Sequence, residues 1–487
     1  MRATSVTRLL DVTHLVVGAG AAGMAFVDAL VDHDPGARVA LVDRRDGVGG
    51  HWRAAYPFVR LHQSSTYYGV ASTLLGGDRL QADGPEAGLH ERADQPTILA
   101  YYDQVRDRLL ATGRVELFTR CDFLGGRTFT SLGPEGGRPP TPPAGFRSLA
   151  LTEPVLGPEG ELFEVPDRCR VVDARYLSPD VPAESPPPFV VDGADVVPAG
   201  ELPRSGPAGQ HVVVGSGKTA TDSVVWLLRH GVDPDAICWV RPRDPWMLDR
   251  ANLEPDPVVY LGMVAGLMDL ASRATSLPSL FLGLEEAGTM VRIDRSVTPM
   301  MAKVPTLGRW ELELLRSVQN VVRLGHVRTA RRGSLDLEGG SVAVADDALV
   351  VHCAADGLKR KPRVPIWAPD VITLQPVRAG FPCFGAALAG VVEATRDDDD
   401  EKNRVCPSSS LGGSLTDWAR MNVLGFRAGA AFGAEPDLKD WSDRVALNPA
   451  RVPPDARSPA LDAVLERLAA AVPPGVARLA ALSGPRP

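Results

Sequence analysis

Short apolar runs that lead directly into clusters of glycine dominate the hydrophobic pattern of the chain. The runs at 13–17 and 210–214 lack the strict alternation of a half-exposed strand, so each predicts a buried strand of a parallel sheet. A stretch with helical character follows each cluster, over 21–31 and from 218 to about 230. This order of strand, glycine turn and helix, occurring twice, predicts an α/β protein with two Rossmann-like units.

The first glycine cluster has the spacing of a dinucleotide-binding turn. Its residues are Gly18, Ala19, Gly20, Ala21, Ala22 and Gly23. In such a turn the three glycines permit, in order, a tight bend, close approach of a pyrophosphate, and close packing of the helix on the strand. The next predicted strand, 38–42, ends at Asp43, where a carboxylate meets the ribose hydroxyls of an adenosine. Together these features favour a bound dinucleotide over a turn without a ligand.

The second cluster consists of Gly215, Ser216, Gly217, Lys218, Thr219 and Ala220. Gly-Lys-Thr also occurs in phosphate-binding P-loops, but that motif needs a glycine where this chain has Val212, so a dinucleotide turn is favoured. The following strand, 236–240, ends in the basic residues Arg241 and Arg243. A guanidinium suits the 2′-phosphate of NADPH, and we expect Lys218 to add a phosphate contact. The alternative for the two arginines is a solvated loop end.

The segment that begins at Asp43 carries a resemblance to a known family. It contains an acid, a Gly-Gly-x-Trp turn at 49–52 and a Tyr-Pro-x-x-Arg stretch at 56–60. In this pattern the chain resembles the flavin-containing monooxygenases and the Baeyer–Villiger monooxygenases, as a divergent member of that superfamily. The resemblance implies that the first turn binds FAD, that the second binds NADPH, and that the NADPH-binding domain is inserted into the FAD-binding domain.

The same resemblance implies roles for individual residues. Arg60 matches the family's arginine, and His62 stands where the family has an Asn or Asp near the reactive edge of the flavin, so these two are candidate catalytic residues. His62 is either a proton relay that switches near neutral pH or a structural or flavin-bonding histidine, and both interpretations stay open. Further candidate cofactor contacts are Ala22, Arg44, Gly50, His51, Trp52, Gln63, Asp356 and Gln375.

The chain departs from the family pattern at several positions. Phe58 replaces a glycine, and His51 replaces a threonine. The Phe-x-Gly-x-x-x-His-x-x-x-Tyr/Trp fingerprint that normally precedes the second turn has no counterpart between 175 and 211. The apolar stretch at 349–357 resembles the Ala-Thr-Gly strand by which the superfamily rejoins the FAD domain, with Asp356 where threonine is common. We therefore expect a divergent branch.

The length of 487 residues is too great for one ordinary core. We predict an FAD-binding domain formed by 1–175 and a return segment at 345–450. The NAD(P)H-binding domain is predicted at 205–335, and a C-terminal tail without assigned chemistry at 451–487.

Composition narrows the classes of function. A net charge of −8 gives no support to nucleic-acid binding, and no stretch approaches the ~20 apolar residues of a membrane span. The six cysteines include no CxxC pair, which argues against a disulfide reductase and favours a reduced, cytoplasmic setting. No spacing of metal-ligating residues predicts a metal site.

The sequence therefore predicts an FAD-dependent, NADPH-consuming oxidoreductase. By the resemblance, a monooxygenase of this kind forms a C4a-(hydro)peroxyflavin with O₂ and oxygenates a nitrogen, sulfur or carbonyl centre of a small molecule. An FAD-dependent oxidase or dehydrogenase on the same scaffold is an alternative. A third possibility is a redox-sensing flavoprotein without catalysis.

Overall fold

The structure is a computed structural model that describes residues 7–132, 161–355, 357, 361–378 and 380–484. Its strands are β1 (Thr7–Leu9), β2 (His14–Val17), β3 (Val39–Asp43), β4 (Val115–Thr119), β5 (Cys121–Gly125), β6 (Thr128–Ser131), β7 (Leu162–Glu164), β8 (Arg170–Asp173), β9 (Val190–Asp192), β10 (Asp195–Pro198), β11 (His211–Val214), β12 (Ile237–Val240), β13 (Pro245–Asp249), β14 (Met290–Val291), β15 (Met301–Leu307), β16 (Val321–Val322), β17 (Val327–Arg331), β18 (Ser334–Leu337), β19 (Gly340–Ala343), β20 (Leu349–His352), β21 (Trp367–Ala368) and β22 (Val371–Thr373). Its helices are α1 (Ala21–His33), α2 (Gln95–Ala111), α3 (Lys218–Arg229), α4 (Pro257–Arg273), α5 (Leu277–Glu286), α6 (Arg309–Ser317), α7 (Pro382–Thr395), α8 (Asp399–Val405), α9 (Leu415–Gly433), α10 (Pro436–Arg444) and α11 (Pro459–Leu482).

The first large sheet has the strand order β21-β22-β8-β2-β3-β4 and is parallel except for β21. Its strand β2 lies between β8 and β3 and is completely buried, as the apolar run predicted. Helix α1 follows the first glycine turn and packs against α7. The predicted strand–turn–helix–strand unit is therefore confirmed, and it places the first turn at the carboxyl end of an inner strand.

The second large sheet has the order β10-β20-β11-β12-β16 and is wholly parallel. Strand β11 is buried between β20 and β12, and helix α3 follows it after the second glycine turn. Helix α6 packs against α3. This confirms the second Rossmann-like unit, and because β8 precedes it and β22 follows it, the second unit is inserted into the first.

The apolar strand at 349–357 was expected to rejoin the FAD domain, and the structure differs on this point. Strand β20 pairs with β10 and β11 in the second sheet. The chain returns to the first sheet at β22, which pairs with β8. Three buried apolar residues suit the interior of either sheet, so the sequence does not specify which partner the strand takes. In the proposed division into domains, the second unit consequently extends to β20.

A smaller sheet of three strands packs with several helices around a core of its own. Strand β13 pairs with β14 and β15, and a third core forms where Trp246, Phe281 and Trp418 meet. Helix α11, in the segment predicted as a tail, packs along α4. Among the helices that the structure describes, none is long and apolar enough to cross a membrane.

Candidate functional site

The first glycine turn is closed so tightly that Gly18 and Gly23 cannot carry side chains without strain. Gly18 has a φ of +111°, and a Cβ atom on Gly23 would lie 1.9 Å from the carbonyl oxygen of Gly18. Gly50, with a φ of +57°, faces Gly20, and a Cβ atom on Gly50 would lie 2.8 Å from the Cα atom of Gly20. The two backbones form a surface without side chains, which is what close approach of a pyrophosphate requires.

Helix α1 begins at this turn with its amino end uncapped. Gly20 is the N-cap residue, no side chain caps the helix, and its first turn contains no acidic residue. Ala22 lies in that first turn and is half-buried. Uncapped N–H groups and the positive end of the helix dipole favour an anionic phosphate at this position.

Asp43 lies beside the first turn, as predicted. Its Oδ2 accepts a hydrogen bond from the Ala19 N–H at 2.7 Å, and its Oδ1 accepts one from the Arg45 N–H at 2.8 Å. A carboxylate has about four acceptor positions, so ribose hydroxyls can bind the remaining ones. The neighbouring Arg44 is exposed and lies 4.0 Å from Glu184, on the solvent side of the strand end.

The Gly-Gly-x-Trp turn is attached to the first glycine turn by the Gly49 N–H, which donates to the Ala19 carbonyl at 2.9 Å. Trp52 is buried, and its Nε1 donates to the Tyr68 hydroxyl at 2.6 Å. The His51 ring packs on Trp52 with 5.3 Å between ring centroids. Burial, with a smaller effect of Arg45, lowers the pKa of His51 to about 4, so this imidazole is neutral at physiological pH.

The second glycine turn repeats these features. Gly215 has a φ of +139°, and a Cβ atom there would lie 3.1 Å from the Cys353 carbonyl oxygen. The Trp239 indole donates to the Gly215 carbonyl at 2.9 Å. Gly217 is the N-cap of α3 and, like Gly20, provides no side-chain cap. Ser216 and Thr219 are half-buried around it. This turn can therefore receive a second phosphate group.

Lys218, which we expected to contact a phosphate, is engaged by carboxylates in the structure. Its Nζ is paired with Asp222 and lies 3.4 Å from Glu311 of α6. The Lys218 side chain is only 7% exposed. A buried ammonium needs carboxylate partners, so the ion pairs with Asp222 and Glu311 keep this lysine side chain in the interior.

The two arginines after β12 differ in their surroundings. The Arg241 guanidinium is buried 4.7 Å above the Trp239 ring and is paired with Asp244, which also binds Arg323. Arg243 is exposed. Both residues lie at the carboxyl end of the strand, but Arg241 is already neutralised by a carboxylate, so Arg243 is the better candidate for a 2′-phosphate.

A buried charge cluster joins the two units, and no sequence motif indicated it. Its six members have side chains no more than 10% exposed. They are Lys218, Arg250 and Arg92 as cations, and Asp222, Glu311 and Glu86 as carboxylates. Arg250 is the central member because it binds both Glu86 and Glu311. Burial alone would raise the pKa of Glu311, but Lys218 and Arg250 lower it to about 2.

His62 adjoins this cluster. Its carbonyl accepts hydrogen bonds from the Thr306 hydroxyl and from the Arg250 Nε. Its ring atom Nδ1 is enclosed and has no hydrogen-bond partner in the part of the chain that the structure describes. Burial, followed by Lys218 and Arg250, lowers the pKa of His62 to about 3. The imidazole is therefore neutral at physiological pH, which favours the structural or flavin-bonding interpretation over the proton relay that switches near neutral pH.

The remaining predicted residues are not all near His62. Arg60 is exposed, with its Nη1 on the Arg92 carbonyl at 3.4 Å, so the structure does not bring the two candidate catalytic side chains together. Gln63 is buried. The Gln375 amide binds the backbone N–H and carbonyl of Val364 at 3.1 and 2.8 Å and so braces a turn. Asp356 lies outside the described residues.

The segment from Tyr56 to Phe58 connects the first unit to helix α3 of the second. The Tyr56 hydroxyl donates to Asp222 at 2.7 Å. The Phe58 ring stacks on Trp226 with 5.6 Å between centroids. Phe58 replaces the family's glycine, and its ring thus provides a contact between the units that a glycine could not make.

Two other features bear on the chemistry. All six cysteines are free and buried, so none is placed for dithiol exchange. A cavity of about 330 Å³ lies between the segment 66–78 and the segment 444–451, and it includes Tyr68, the partner of Trp52. None of its lining residues belongs to either glycine turn. Across the residues that the structure describes, no group of three or more His, Cys, Asp or Glu side chains could hold a metal ion.

The chain is similar in sequence to a family of nucleotide-binding domains and to proteins of two mycobacteria. Residues 16–69 match the family model of NAD(P)-binding Rossmann-like domains. Uncharacterized proteins of Mycobacterium tuberculosis and Mycobacterium bovis are 40% identical to the chain over 446 residues, which are 91% of this chain and 78% of each relative.

Among solved structures, the polycyclic ketone monooxygenase of Thermothelomyces thermophila has a TM-score of 0.52 at 12% identity, over 97% of this chain and 90% of the other. A cyclohexanone monooxygenase bound to ε-caprolactone has a TM-score of 0.50 at 14% identity, over 89% and 98%. At these identities the similarity shows the fold. The chain belongs to the family of the mycobacterial proteins, and its fold is similar to that of the two ketone monooxygenases.

Proposed function

We propose that the protein is an FAD-dependent, NADPH-consuming monooxygenase that oxygenates a nitrogen, sulfur or carbonyl centre of a small molecule. The observation that carries this proposal is the pairing of two uncapped glycine turns, each at the carboxyl end of an inner parallel strand. The buried charge cluster joins the two units and is hydrogen-bonded to the backbone of His62. The similarity in fold to ketone monooxygenases supports the same conclusion.

The first turn fits FAD. Gly20 and Gly50 provide the surface for the pyrophosphate, Asp43 has acceptor positions for the ribose hydroxyls, and the amino end of α1 favours the phosphates. The second turn fits NADPH, with the amino end of α3 at the phosphates and Arg243 at the 2′-phosphate. Electrons would then pass from the second unit to the first.

The protein supplies orientation and exclusion of water around this chemistry. Held by the first turn and Asp43, FAD would supply the redox chemistry, with NADPH as the hydride donor and dioxygen as the oxidant. The contact of Phe58 with Trp226 and the charge cluster hold the two nucleotide sites at a fixed separation. The neutral His62 ring, with Nδ1 enclosed and unpartnered, can donate or accept one hydrogen bond at that atom, according to its tautomer.

Asp43→Ala is expected to remove most bound FAD, because the variant loses the ribose acceptor and the bond that fixes the Ala19 N–H in the turn. Flavin content per purified chain, from the ratio of visible to protein absorbance, measures this effect. Asp46→Ala is the control, since the Asp46 side chain binds only the Arg53 side chain among the residues that the structure describes. Full flavin occupancy in Asp43→Ala would contradict the ribose assignment.

Arg243→Ala is expected to raise the KM for NADPH about tenfold and to leave the KM for NADH unchanged, because a charge-assisted hydrogen bond to phosphate contributes about 1.5–3 kcal/mol. Arg241→Ala is the comparison. Arg241 stacks on Trp239, whose indole binds the Gly215 carbonyl of the turn. Loss of the Arg241 side chain should therefore weaken the binding of NADPH and of NADH equally. Steady-state NADPH and NADH oxidation measures both variants. Equal effects of Arg243→Ala on the two nucleotides would place 2′-phosphate recognition elsewhere.

The reaction is tested with the purified flavoprotein. In a first experiment, under anaerobic conditions, NADPH should bleach the flavin absorbance. In a second, the enzyme is supplied with NADPH, labelled dioxygen and a panel of ketones, sulfides and amines. One labelled oxygen atom should then enter a product. Reduction followed only by stoichiometric hydrogen peroxide, with no labelled product from any probe, would indicate the oxidase. Absence of reduction by NADPH would contradict both enzymes and favour the redox sensor.

A further inference from the structure

Two buried side chains that are distant in sequence, Thr306 and Arg250, hydrogen-bond to the backbone carbonyl of His62. Thr306, in strand β15, donates its hydroxyl to the His62 carbonyl. The Arg250 Nε lies 3.3 Å from the same carbonyl and 3.3 Å from the Thr306 hydroxyl. Thr306 is completely buried and Arg250 is 1% exposed. The three groups therefore form a closed set of hydrogen bonds away from water.

Arg250 is itself fixed within the charge cluster. One Nη binds Glu86, and the other binds Glu311 at 2.6 Å. Glu311 also lies 3.4 Å from Lys218, the first residue of the helix after the second glycine turn. A continuous set of polar contacts thus runs from the second nucleotide turn to the backbone of His62.

We propose that Thr306 and Arg250 are positioning residues that fix the His62 ring at the flavin side of the site. The inference rests on the proposed function, because it assumes that His62 adjoins the flavin. Neither side chain needs to touch a cofactor. Each acts through the His62 carbonyl, and so fixes the backbone that carries the imidazole ring.

Thr306→Val removes the hydroxyl with little change of volume and leaves every charge of the cluster in place. Thr306→Ser is the matched control because it keeps the hydroxyl. At saturating NADPH, the anaerobic rate constant of flavin reduction is expected to fall about tenfold or more in the Val variant and to recover within about twofold in the Ser variant. Flavin content and the Kd for NADPH should stay close to the wild-type values in both.

A second measurement is independent of NADPH chemistry. In the holoprotein with ¹³Cε1-labelled histidine, NMR follows the titration of His62, whose signal is assigned with His62→Gln. The groups that face this histidine are Lys218, Arg250, Arg92 and Glu311. In Thr306→Val the ring is no longer held among these groups, so the pKa of His62 should rise toward its ordinary value near 6.5. Thr306→Ser should titrate like the wild type.

The outcomes are distinct for the two proposals. If wild-type flavin is not reduced by NADPH, the proposed function fails, and the titration alone decides whether Thr306 positions His62. If Thr306→Val leaves the titration unchanged, or if Thr306→Ser is impaired as strongly as Thr306→Val, the positioning role is overturned. A fall in flavin content that parallels the fall in rate would likewise show a structural role instead.

Discussion

Glu311→Gln is expected to lower the free energy of unfolding by about 3–5 kcal/mol, the usual cost of removing one partner of a buried ion pair. Glu311 is the only direct carboxylate bridge between Lys218 and Arg250 among the described ion pairs. In the wild type the Gly308 N–H donates a hydrogen bond to the Glu311 carboxylate at 2.7 Å, and the glutamine side chain keeps an oxygen that can accept it. It cannot compensate the two buried cations. Chemical denaturation followed by circular dichroism measures the change.

The contribution of Glu311 to the free energy of unfolding should decrease at acid pH. The folded pKa of Glu311, about 2, lies below the ordinary value near 4.3 for an unfolded chain. The carboxylate therefore contributes its full stability above about pH 5, and this contribution disappears as the pH falls toward 2. The difference between the wild type and Glu311→Gln should follow the same course.

A control for Glu311 lies on the same helix. Glu313 is exposed, and Glu313→Gln should change the free energy of unfolding by less than about 0.5 kcal/mol. Equal effects of the two substitutions, or a difference that does not depend on pH between 5 and 2, would contradict the assignment of Glu311 as the bridge of the cluster.

The parts of the fold that could be predicted from the sequence are those specified by neighbouring residues. An apolar run, a glycine turn and a helix are adjacent along the chain, so β2 with α1 and β11 with α3 were recognisable. The pairing of β20 was not, because its apolar residues suit either sheet and a strand's partners lie far away in sequence.

The charge cluster shows the same difference at the site. Glu86, Arg92, Arg250 and Glu311 come from separate segments, and a single charged residue in a sequence is typical of a solvated surface. Only the fold brings them together. For this reason Lys218 and Arg241, placed correctly beside their strands, were assigned to phosphates, although carboxylates of the folded protein already bind both.

Gly23→Ala is expected to remove nearly all bound FAD and to destabilise the protein by about 1–3 kcal/mol, the range found for overpacking. The new Cβ atom would lie 1.9 Å from the Gly18 carbonyl oxygen and 3.1 Å from its carbonyl carbon. Both are backbone atoms of the turn, so no side chain can move aside to make room. Helix α1 would have to move away from β2, and its uncapped N–H groups would then leave the position that suits a pyrophosphate.

Gly433→Ala is the control. It replaces a glycine of another helix by alanine without creating a steric clash. Gly433 ends α9, and a Cβ atom there would meet no atom within 4 Å. This substitution should leave flavin content unchanged and stabilise the helix by about 0.5–1 kcal/mol. Flavin absorbance and thermal unfolding of the two variants measure both effects. If Gly23→Ala binds FAD as the wild type does, close packing of α1 on the first turn is not required for FAD binding, and the steric argument for the role of Gly23 is wrong.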